Sequence, residues 1–277
     1  MNSIKTALLL GLLTALLMFA GGAFGGRTGI VLAFGFAVVM NFGAYWFSDS
    51  IVLKFHGARP LEPTEAPEVH AIVATLAQRA GMPMPRIYLV NSPSPNAFAT
   101  GRGPSHAAVA VTTGILQLMN RDELEGVIAH ELSHVRNRDT LTSTVAATLA
   151  GAIMMLASMA RWTAFFGGFG GRDRDGSIFE LLAMALLAPI AAVLIQMGIS
   201  RSREYQADAS GAELAGHPDG LASALRKLGQ TSGRIPMRTS PAMSHLYIVN
   251  PLSGKSLANL FSTHPPLEAR IARLMNR

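Results

Sequence analysis

The feature of this chain that most limits its fold is a set of four long apolar blocks. They cover about residues 7–24, 30–47, 141–159 and 178–199. Each is close to the ~20 residues that a helix needs to cross about 30 Å of hydrocarbon. A segment inside hydrocarbon must satisfy its own backbone hydrogen bonds, so such blocks form helices. The pattern therefore predicts a membrane protein with about four transmembrane helices.

The composition supports this interpretation. Charged residues make up only 14% of the 277 residues, whereas an ordinary soluble domain carries about 25%. The chain contains no cysteine, which excludes a disulfide framework, a thiolate metal site and a cysteine nucleophile. A catalytic domain without cysteine fits a reducing compartment.

Two of these assignments have alternatives. The first block could be a cleaved signal peptide, because Lys5 precedes it and small residues follow it. The second block starts after only a tight turn at 25–29, which favours a hairpin of two spans. The third block is rich in Ala, Thr and Ser, and the fourth contains Pro189. These two could instead pack as a buried helical pair of a soluble domain.

Lysine and arginine are distributed unevenly between the segments that join the blocks. The N-terminal stub, residues 48–140 and residues 200–277 hold one, eight and ten of them, against one and three in the two short loops. Cytoplasmic segments of membrane proteins carry such an excess. Both large polar stretches are therefore predicted to face the cytoplasm. The same bias explains the net charge of +6 without a nucleic-acid partner.

The polar stretch after the second block predicts a small mixed domain. A helix is predicted from about residue 67 to residue 80, where glycine and proline end it. Residues 86–90 and 106–111 are rich in β-branched and alternating apolar residues and are predicted as strands. The predicted class is thus α+β, mainly helical with a small sheet.

A second helix in this stretch carries the motif His130-Glu131-x-x-His134. It starts at Asn120, which can form a capping box with Glu123. Histidines four residues apart project from the same helix face, so both can bind one Zn²⁺ at about 2.0–2.1 Å. Glu131 lies one residue further round, where it can take a proton from a zinc-bound water. The alternative is that the motif matches by chance. A chance match could fall anywhere in the chain, whereas this one falls on a capped amphipathic helix.

Catalytic zinc keeps three protein ligands and one open position, so a third ligand must come from elsewhere. The helix predicted after the fourth block offers Glu204 and Asp208, four residues apart on one face. A pair of spans would return the chain to the membrane face near His134. Glu204 is therefore predicted as the third ligand, and Asp208 as the acceptor for the second ring N–H of a ligand histidine. Alternatively, both carboxylates pair with Arg201 and Arg203.

Two other carboxylates are poorer candidates for the third ligand. Glu213 lies beyond the helical turn that Glu204 and Asp208 share. Asp139 follows His134 by only five residues, on the same predicted helix, where it is poorly placed to reach round the metal.

The order of these features resembles the HtpX family, the heat-shock-associated membrane zinc metalloproteases of bacteria. The resemblance rests on the N-terminal spans, the His-Glu-Leu-Ser-His motif, the second hydrophobic pair and the segment Ser-Arg-Glu-Tyr-Gln-Ala-Asp at 202–208. Residues 96–101 and 261–266, followed by Arg-Ile at 270–271, fit as well. The similarity covers nearly the whole chain.

The resemblance implies a gluzincin-type metalloprotease domain that holds one zinc ion through His130, His134 and Glu204, with Glu131 as general base. It implies an enzyme of the bacterial inner membrane whose active site faces the cytoplasm and which hydrolyses damaged or misfolded membrane proteins. The chain then divides into a transmembrane hairpin (1–48), a first part of the protease domain (49–140), a second hydrophobic helix pair (141–199), and a second part of the protease domain (200–277).

Two further residues acquire candidate roles from the same resemblance. His264 precedes two prolines that suit the first turn of a last helix, and it is a candidate for stabilising the oxyanion. The alternative is a helix-capping residue. Asn96 begins a stretch that resembles the edge strand along which such proteases bind substrate by backbone pairing. The alternative is an ordinary turn asparagine.

Other classes of function agree less well with the sequence. A zinc-binding membrane scaffold without proteolytic activity would need a closed site, usually with four ligands and often with cysteine. A transporter or channel would need ionisable residues inside the spans, and the four blocks hold almost none. The sequence therefore favours a membrane-anchored zinc endopeptidase.

Overall fold

The computed structural model describes residues 2–146, 148–150, 153, 201–231, 246, 248 and 265–276. Besides the helices and strands labelled below, the structure has a short 3₁₀ turn at Pro104–His106 and helical residues at 139–146 and 148–150. The labelled elements, in chain order, are α1 (Asn2–Trp46), α2 (Ser48–Phe55), β1 (Arg59–Pro60), α3 (Pro67–Arg79), β2 (Arg86–Val90), β3 (Ala97–Thr100), β4 (Ala108–Thr112), α4 (Thr113–Leu118), α5 (Arg121–Arg136), α6 (Arg201–Ala215), α7 (Asp219–Thr231) and α8 (Leu267–Met275).

Helix α1 consists of two arms folded against each other at Gly26, which has a non-helical φ of 54°. Glycine adopts this left-handed conformation without a Cβ clash. Close to the turn, a Cβ on Gly21 would collide with the carbonyl oxygen of Gly29, so the close approach of the arms requires glycine. Further along, Nδ2 of Asn41 donates a 2.8 Å hydrogen bond to Oγ1 of Thr14. The first two apolar blocks therefore form a helical hairpin.

The second arm of the hairpin, Gly25–Trp46, has 22 residues and is about 33 Å long. It is the one helix among the described residues that is long and apolar enough to cross a membrane, and the first arm contributes a shorter apolar helix, Thr6–Phe19. Most of the large apolar side chains of the second arm are exposed rather than packed inside the protein. The predicted total of about four spans includes segments outside the described residues.

The described start of the third apolar block packs against both arms of α1. Val145 and Leu149 are fully buried in a cluster with Leu9, Leu13 and Ala44. This cluster is separate from the main core of the polar domain. The alternative for the third and fourth blocks, a buried helical pair, depends mostly on residues outside the described ranges. The fourth block, residues 178–199, lies outside the described residues.

The four strands form one mixed sheet in the order β1-β2-β4-β3. Strands β2 and β4 are parallel, whereas β3 pairs with β4 antiparallel and lies at the edge. Strand β2 has the predicted bounds of 86–90, but β4 begins at Ala108 rather than at residue 106. The 3₁₀ turn at Pro104–His106 takes up the first residue of the predicted strand.

Helix α5 is the centre of the polar domain. It begins at the predicted capping box, in which Asn120 and Glu123 bond to each other's backbone N–H. Its middle is buried between β3, α6 and α7. A Cβ on Gly211 of α6 would lie 2.9 Å from the backbone nitrogen of His130. The absence of a side chain at Gly211 therefore lets α6 pass directly beside the motif.

Candidate metal centre

The structure brings the side chains of His130, His134 and Glu204 to one point, and the three could hold a metal ion. The Nε2 atoms of the two histidines are 3.2 Å apart. The carboxylate oxygens of Glu204 lie 3.5 Å from Nε2 of His134 and 3.8 Å from Nε2 of His130. A tetrahedral ion with bonds of 2.0–2.1 Å separates its ligand atoms by about 3.3 Å. The donor set therefore fits one such ion.

Asp208 contacts His130 from its other side, and Arg270 in turn holds Asp208. Oδ1 of Asp208 lies 3.0 Å from Nδ1 of His130, a nitrogen that is buried and makes no hydrogen bond of good geometry in its present orientation. Arg270 donates to both carboxylate oxygens of Asp208, at 2.9 and 2.7 Å, and is fully buried. Arg270 also donates a hydrogen bond of 3.0 Å to the carbonyl oxygen of Ile248. The sequence predicted Asp208 beside a ligand histidine but did not identify Arg270.

The contacts of Asp139 differ from the sequence interpretation. Helix α5 ends at Arg136, and a turn at 137–138 separates it from the helical residues that begin at Asp139. Oδ2 of Asp139 lies 3.4 Å from Nδ1 of His134, on the side away from Glu204. Oδ1 lies 3.4 Å from Nη1 of Arg203. Asp139 is therefore not on the motif helix, and it contacts a ligand histidine from behind.

The charges around the histidines favour a divalent cation. The buried carboxylates are Glu131, Asp139, Glu204 and Asp208, and the buried cations are Arg203 and Arg270. These described side chains carry two more negative than positive charges when ionised. A 2+ ion would balance them. Burying uncompensated charge is costly, so the donor set and its surroundings fit a metal.

The pKa values in the protein alone agree with this charge balance. Burial raises the pKa of the Glu131 carboxyl to about 8, and the carboxylate of Glu204 adds to the effect. Burial alone would lower the pKa of His134, but the hydrogen bond with Asp139 and the charges of Glu204 and Glu131 raise it to about 9. Both groups therefore hold protons at neutral pH, and these protons supply positive charge that a metal would otherwise bring.

His130 behaves in the opposite way. Burial lowers the pKa of its imidazole to about 4, and the neighbouring Arg270 contributes to the decrease. Burial alone would raise the pKa of Asp208, but Arg270 and His130 hold it well below its usual range. His130 is therefore neutral at pH 7, with Asp208 ionised beside it. A neutral imidazole is the form that binds metal.

Glu131 lies next to the ligand group and also contacts the edge of the sheet. Its Oε2 atom accepts a hydrogen bond of 2.9 Å from the backbone N–H of Ala99 in β3. The side chain is 3% exposed, so its carboxylate is shielded from bulk water. It is close to the ligands without being one of the three converging groups, which is the placement that the sequence predicts for a base.

The two residues with weaker sequence support have different outcomes. Asn96 directly precedes β3 and is buried, and its carbonyl oxygen accepts a bond of 3.0 Å from the N–H of Thr112. The strand that follows Asn96 is an edge strand, in agreement with the expectation. At the outer edge of β3, the carbonyl oxygen of Ala97 accepts a 3.4 Å bond from the N–H of Ile248. His264 lies outside the described residues.

Comparison with known proteins agrees with a metal-binding site. The model of peptidase family M48 matches residues 63–277. A protease HtpX homolog from Desulfatibacillum aliphaticivorans is 61% identical over 275 residues, which are 99% of this chain and 89% of that protein. A protease HtpX homolog from Thermococcus kodakarensis is 57% identical over 98% of this chain and 94% of its own length.

A solved structure supports the fold. The crystal structure of Ste24p from S. mikatae superposes with a TM-score of 0.53 at 19% sequence identity. The match covers 99% of this chain, which spans 64% of the Ste24p chain. At this level of identity the likeness concerns the architecture alone.

Proposed function

The chain belongs to peptidase family M48 and is a membrane metalloprotease, and we propose that its metal is zinc, held by His130, His134 and Glu204. Two imidazoles and one carboxylate are a common ligand set of catalytic zinc, with a fourth position left for water or substrate. The observation that carries the proposal is the convergence of these three side chains from helices that lie far apart in the sequence, at separations of 3.2, 3.5 and 3.8 Å.

Zinc bound there would lower the pKa of a coordinated water to about 7 and polarise the carbonyl of the scissile peptide. Glu131 is placed to take the proton of the attacking water and to pass it to the leaving amine. The Ala99 N–H fixes the orientation of the Glu131 carboxylate, so one oxygen stays bonded while the other is available. Burial raises the pKa of Glu131 in the metal-free protein, and a cation at the three ligand groups would favour the ionised carboxylate, which is the form that accepts a proton.

The substrates that we propose are unfolded or damaged proteins, including membrane proteins. Strand β3 lies beside Glu131 and at the edge of the sheet, and an extended segment would pair with its outer edge by displacing the Ile248 N–H from the carbonyl oxygen of Ala97. Such pairing requires the substrate segment to be extended and free of its own structure. The end of β3 also lies near the membrane helices, because Oγ1 of Thr100 is 3.2 Å from Oγ1 of Thr144 in the third apolar block.

We further propose a multi-pass arrangement with about four spans in the inner membrane of a bacterial cell and the active site on the cytoplasmic side. The hairpin of α1 supports the first two spans, and the packing of the third block against that hairpin supports a further one. The excess of Lys and Arg in the two polar stretches supports the orientation. The zinc-binding scaffold considered from sequence fits less well, since the described residues bring three rather than four ligand groups together.

The proposal is tested by metal analysis of the purified full-length protein together with cleavage of an unfolded model protein. We expect about one zinc per chain, loss of cleavage with a chelator, and recovery when zinc is returned. A protein that cleaves equally well after complete removal of metal would refute it.

A further inference from the structure

The turn that ends α5 has a backbone conformation that is unusual for its residue. The N–H groups of Asn137 and Arg138 bond to the carbonyl oxygens of Ser133 and Val135, which closes the helix. Arg138 has a φ of 58° and is the one non-glycine residue with positive φ in the part of the chain that is described. Side chains other than glycine rarely adopt this conformation. The conformation changes the direction of the chain directly after the motif, and strained backbone conformations cluster at functional sites.

The change of direction decides where Asp139 lies. On an uninterrupted helix, a residue five positions after His134 would be about 140° round the axis from it, and the two side chains would point to different sides. Because the turn intervenes, Oδ2 of Asp139 lies 3.4 Å from Nδ1 of His134. The Nε2 atom of the same ring faces His130 and Glu204. The two ring nitrogens of His134 therefore have different neighbours.

A second contact holds Asp139 in place. Its Oδ1 atom lies 3.4 Å from Nη1 of Arg203, and both side chains are buried, with Asp139 4% and Arg203 9% exposed. Arg203 immediately precedes Glu204 on α6. The helix that supplies the third ligand thus also supplies the cation that contacts Asp139.

The arrangement is repeated at the other histidine of the motif. Nδ1 of His130 faces Asp208, and Arg270 bonds to Asp208 with two N–H groups. Each ligand histidine therefore has a carboxylate behind it, and each carboxylate has a buried arginine. The two sets come from different elements, because Asp208 lies on α6 and Asp139 lies on the segment after α5.

We propose that Asp139 is a positioning residue for His134. It accepts the Nδ1–H of His134 and so selects the tautomer whose Nε2 is free to bind the metal, and Arg203 holds Asp139 in the required orientation. The contact also couples the ligand His134 to helix α6, so that the docking of Glu204 and the orientation of His134 occur together. This inference rests on the proposed function, because it needs His134 to bind a metal.

The test measures zinc affinity rather than activity alone. Full-length protein in detergent micelles is stripped of metal, and the dissociation constant for Zn²⁺ is measured in competition with a chromogenic chelator. The variants are Asp139→Asn, Asp139→Ala and Arg203→Gln. The controls are Asp122→Asn, which changes an exposed carboxylate on α5, and Arg201→Gln, which changes an exposed arginine on α6.

Loss of such a supporting carboxylate costs about 10–100-fold in metal affinity. We expect a loss in this range for Asp139→Asn, at least as large a loss for Asp139→Ala, and a smaller loss for Arg203→Gln, with both controls unchanged. The absorption spectrum of the Co²⁺-loaded protein should shift in Asp139→Asn and not in Asp122→Asn. Only the first substitution changes a side chain that contacts the imidazole ring of His134.

Thermal unfolding of the metal-free variants separates this role from a purely structural one. If Asp139→Asn folds and binds zinc as tightly as wild type, the inference is wrong. If Asp139→Asn does not fold, Arg203→Gln decides, since a weaker zinc affinity in that variant is the expected result and an unchanged affinity would overturn the inference. A wild-type protein that binds no zinc would instead refute the proposed function, and the inference with it.

Discussion

The backbone N–H of Ala99 donates a hydrogen bond of 2.9 Å to the carboxylate of Glu131. The bond joins the edge strand β3 to the motif helix α5 at the residue that lies beside the metal ligands. Because the donor belongs to the main chain, the carboxylate keeps one fixed oxygen whatever the side chain at 99. Glu131 is thereby held between the strand and the proposed zinc ion.

The role of Glu131 as base leads to a variant that should separate chemistry from metal binding. Glu131→Gln keeps an oxygen that can accept the Ala99 N–H, so we expect the fold and the zinc content to be retained. Peptide hydrolysis should fall by at least about 10²–10⁴-fold, which is the usual contribution of a positioned base. Rates of peptide cleavage and zinc content are measured in parallel with Asp122→Asn as the control. Turnover near that of wild type would exclude Glu131 from this role.

The pKa values of the site predict how pH affects the stability of the metal-free protein. His134 has a pKa of about 9 instead of its ordinary 6.5, and Glu131 has one of about 8 instead of 4.5. Between about pH 6.5 and pH 9 the folded protein therefore binds more protons than the unfolded chain, and its free energy of unfolding falls as pH rises. The stabilisation from His134 is fully present below pH 6.5 and is lost through about pH 9.

The expected observation is a melting temperature that decreases from pH 6.5 to pH 9 in the presence of a chelator. Zinc replaces these protons, so the decrease should disappear when zinc is bound. The metal-free Glu131→Gln variant should show a weaker decrease, because its side chain at 131 does not titrate. A melting temperature that rises over this range without metal would contradict the assignment of the two raised pKa values.

Glycine at 211 provides a test of how α6 reaches the site. A methyl group there would lie 2.9 Å from backbone atoms of His130, so Gly211→Ala must push the two helices apart. Such overpacking costs about 1–3 kcal/mol and should weaken zinc binding, since Glu204 moves with α6. Zinc affinity is compared with that of Gly35→Ala, which adds a methyl where no atom lies within 4 Å. Equal zinc affinity in the two variants would show that the close approach does not set the ligand geometry.

The distribution of basic residues predicts the orientation in the membrane. Reporter fusions after Asp49 and after Arg277 should both report a cytoplasmic location, and a fusion near residue 170 should report an external one. A cytoplasmic location at residue 170 would mean that the third and fourth apolar blocks do not both span.

Much of this architecture follows from local sequence patterns. The capping box at Asn120 and Glu123 and the bounds of β2 agree with the structure, because each depends on residues close together in the chain. The sequence predicts Glu204 beside the motif from an expected pair of spans, and the structure brings the Glu204 carboxylate to the two histidines.

Other parts depend on contacts that no local pattern contains. Nothing in the residues around Arg270 indicates burial, yet it is fully buried and bonds to Asp208 from another helix. The position of Asp139 depends on a left-handed conformation at Arg138, whereas glycine would have been the usual indication of such a turn. The sequence interpretation therefore extended α5 through Asp139 and did not anticipate its contact with His134.

The most direct test of the proposed centre is the zinc content of Glu204→Ala. Glu204 is the proposed ligand that lies furthest along the chain from the motif, with its carboxylate 3.5 Å from Nε2 of His134. Glu213 lies on the same helix, is exposed and serves as the matched control. We expect Glu204→Ala to lose most of its zinc and its cleavage activity, and Glu213→Ala to keep about one zinc per chain. Full zinc occupancy in folded Glu204→Ala would contradict the proposed centre.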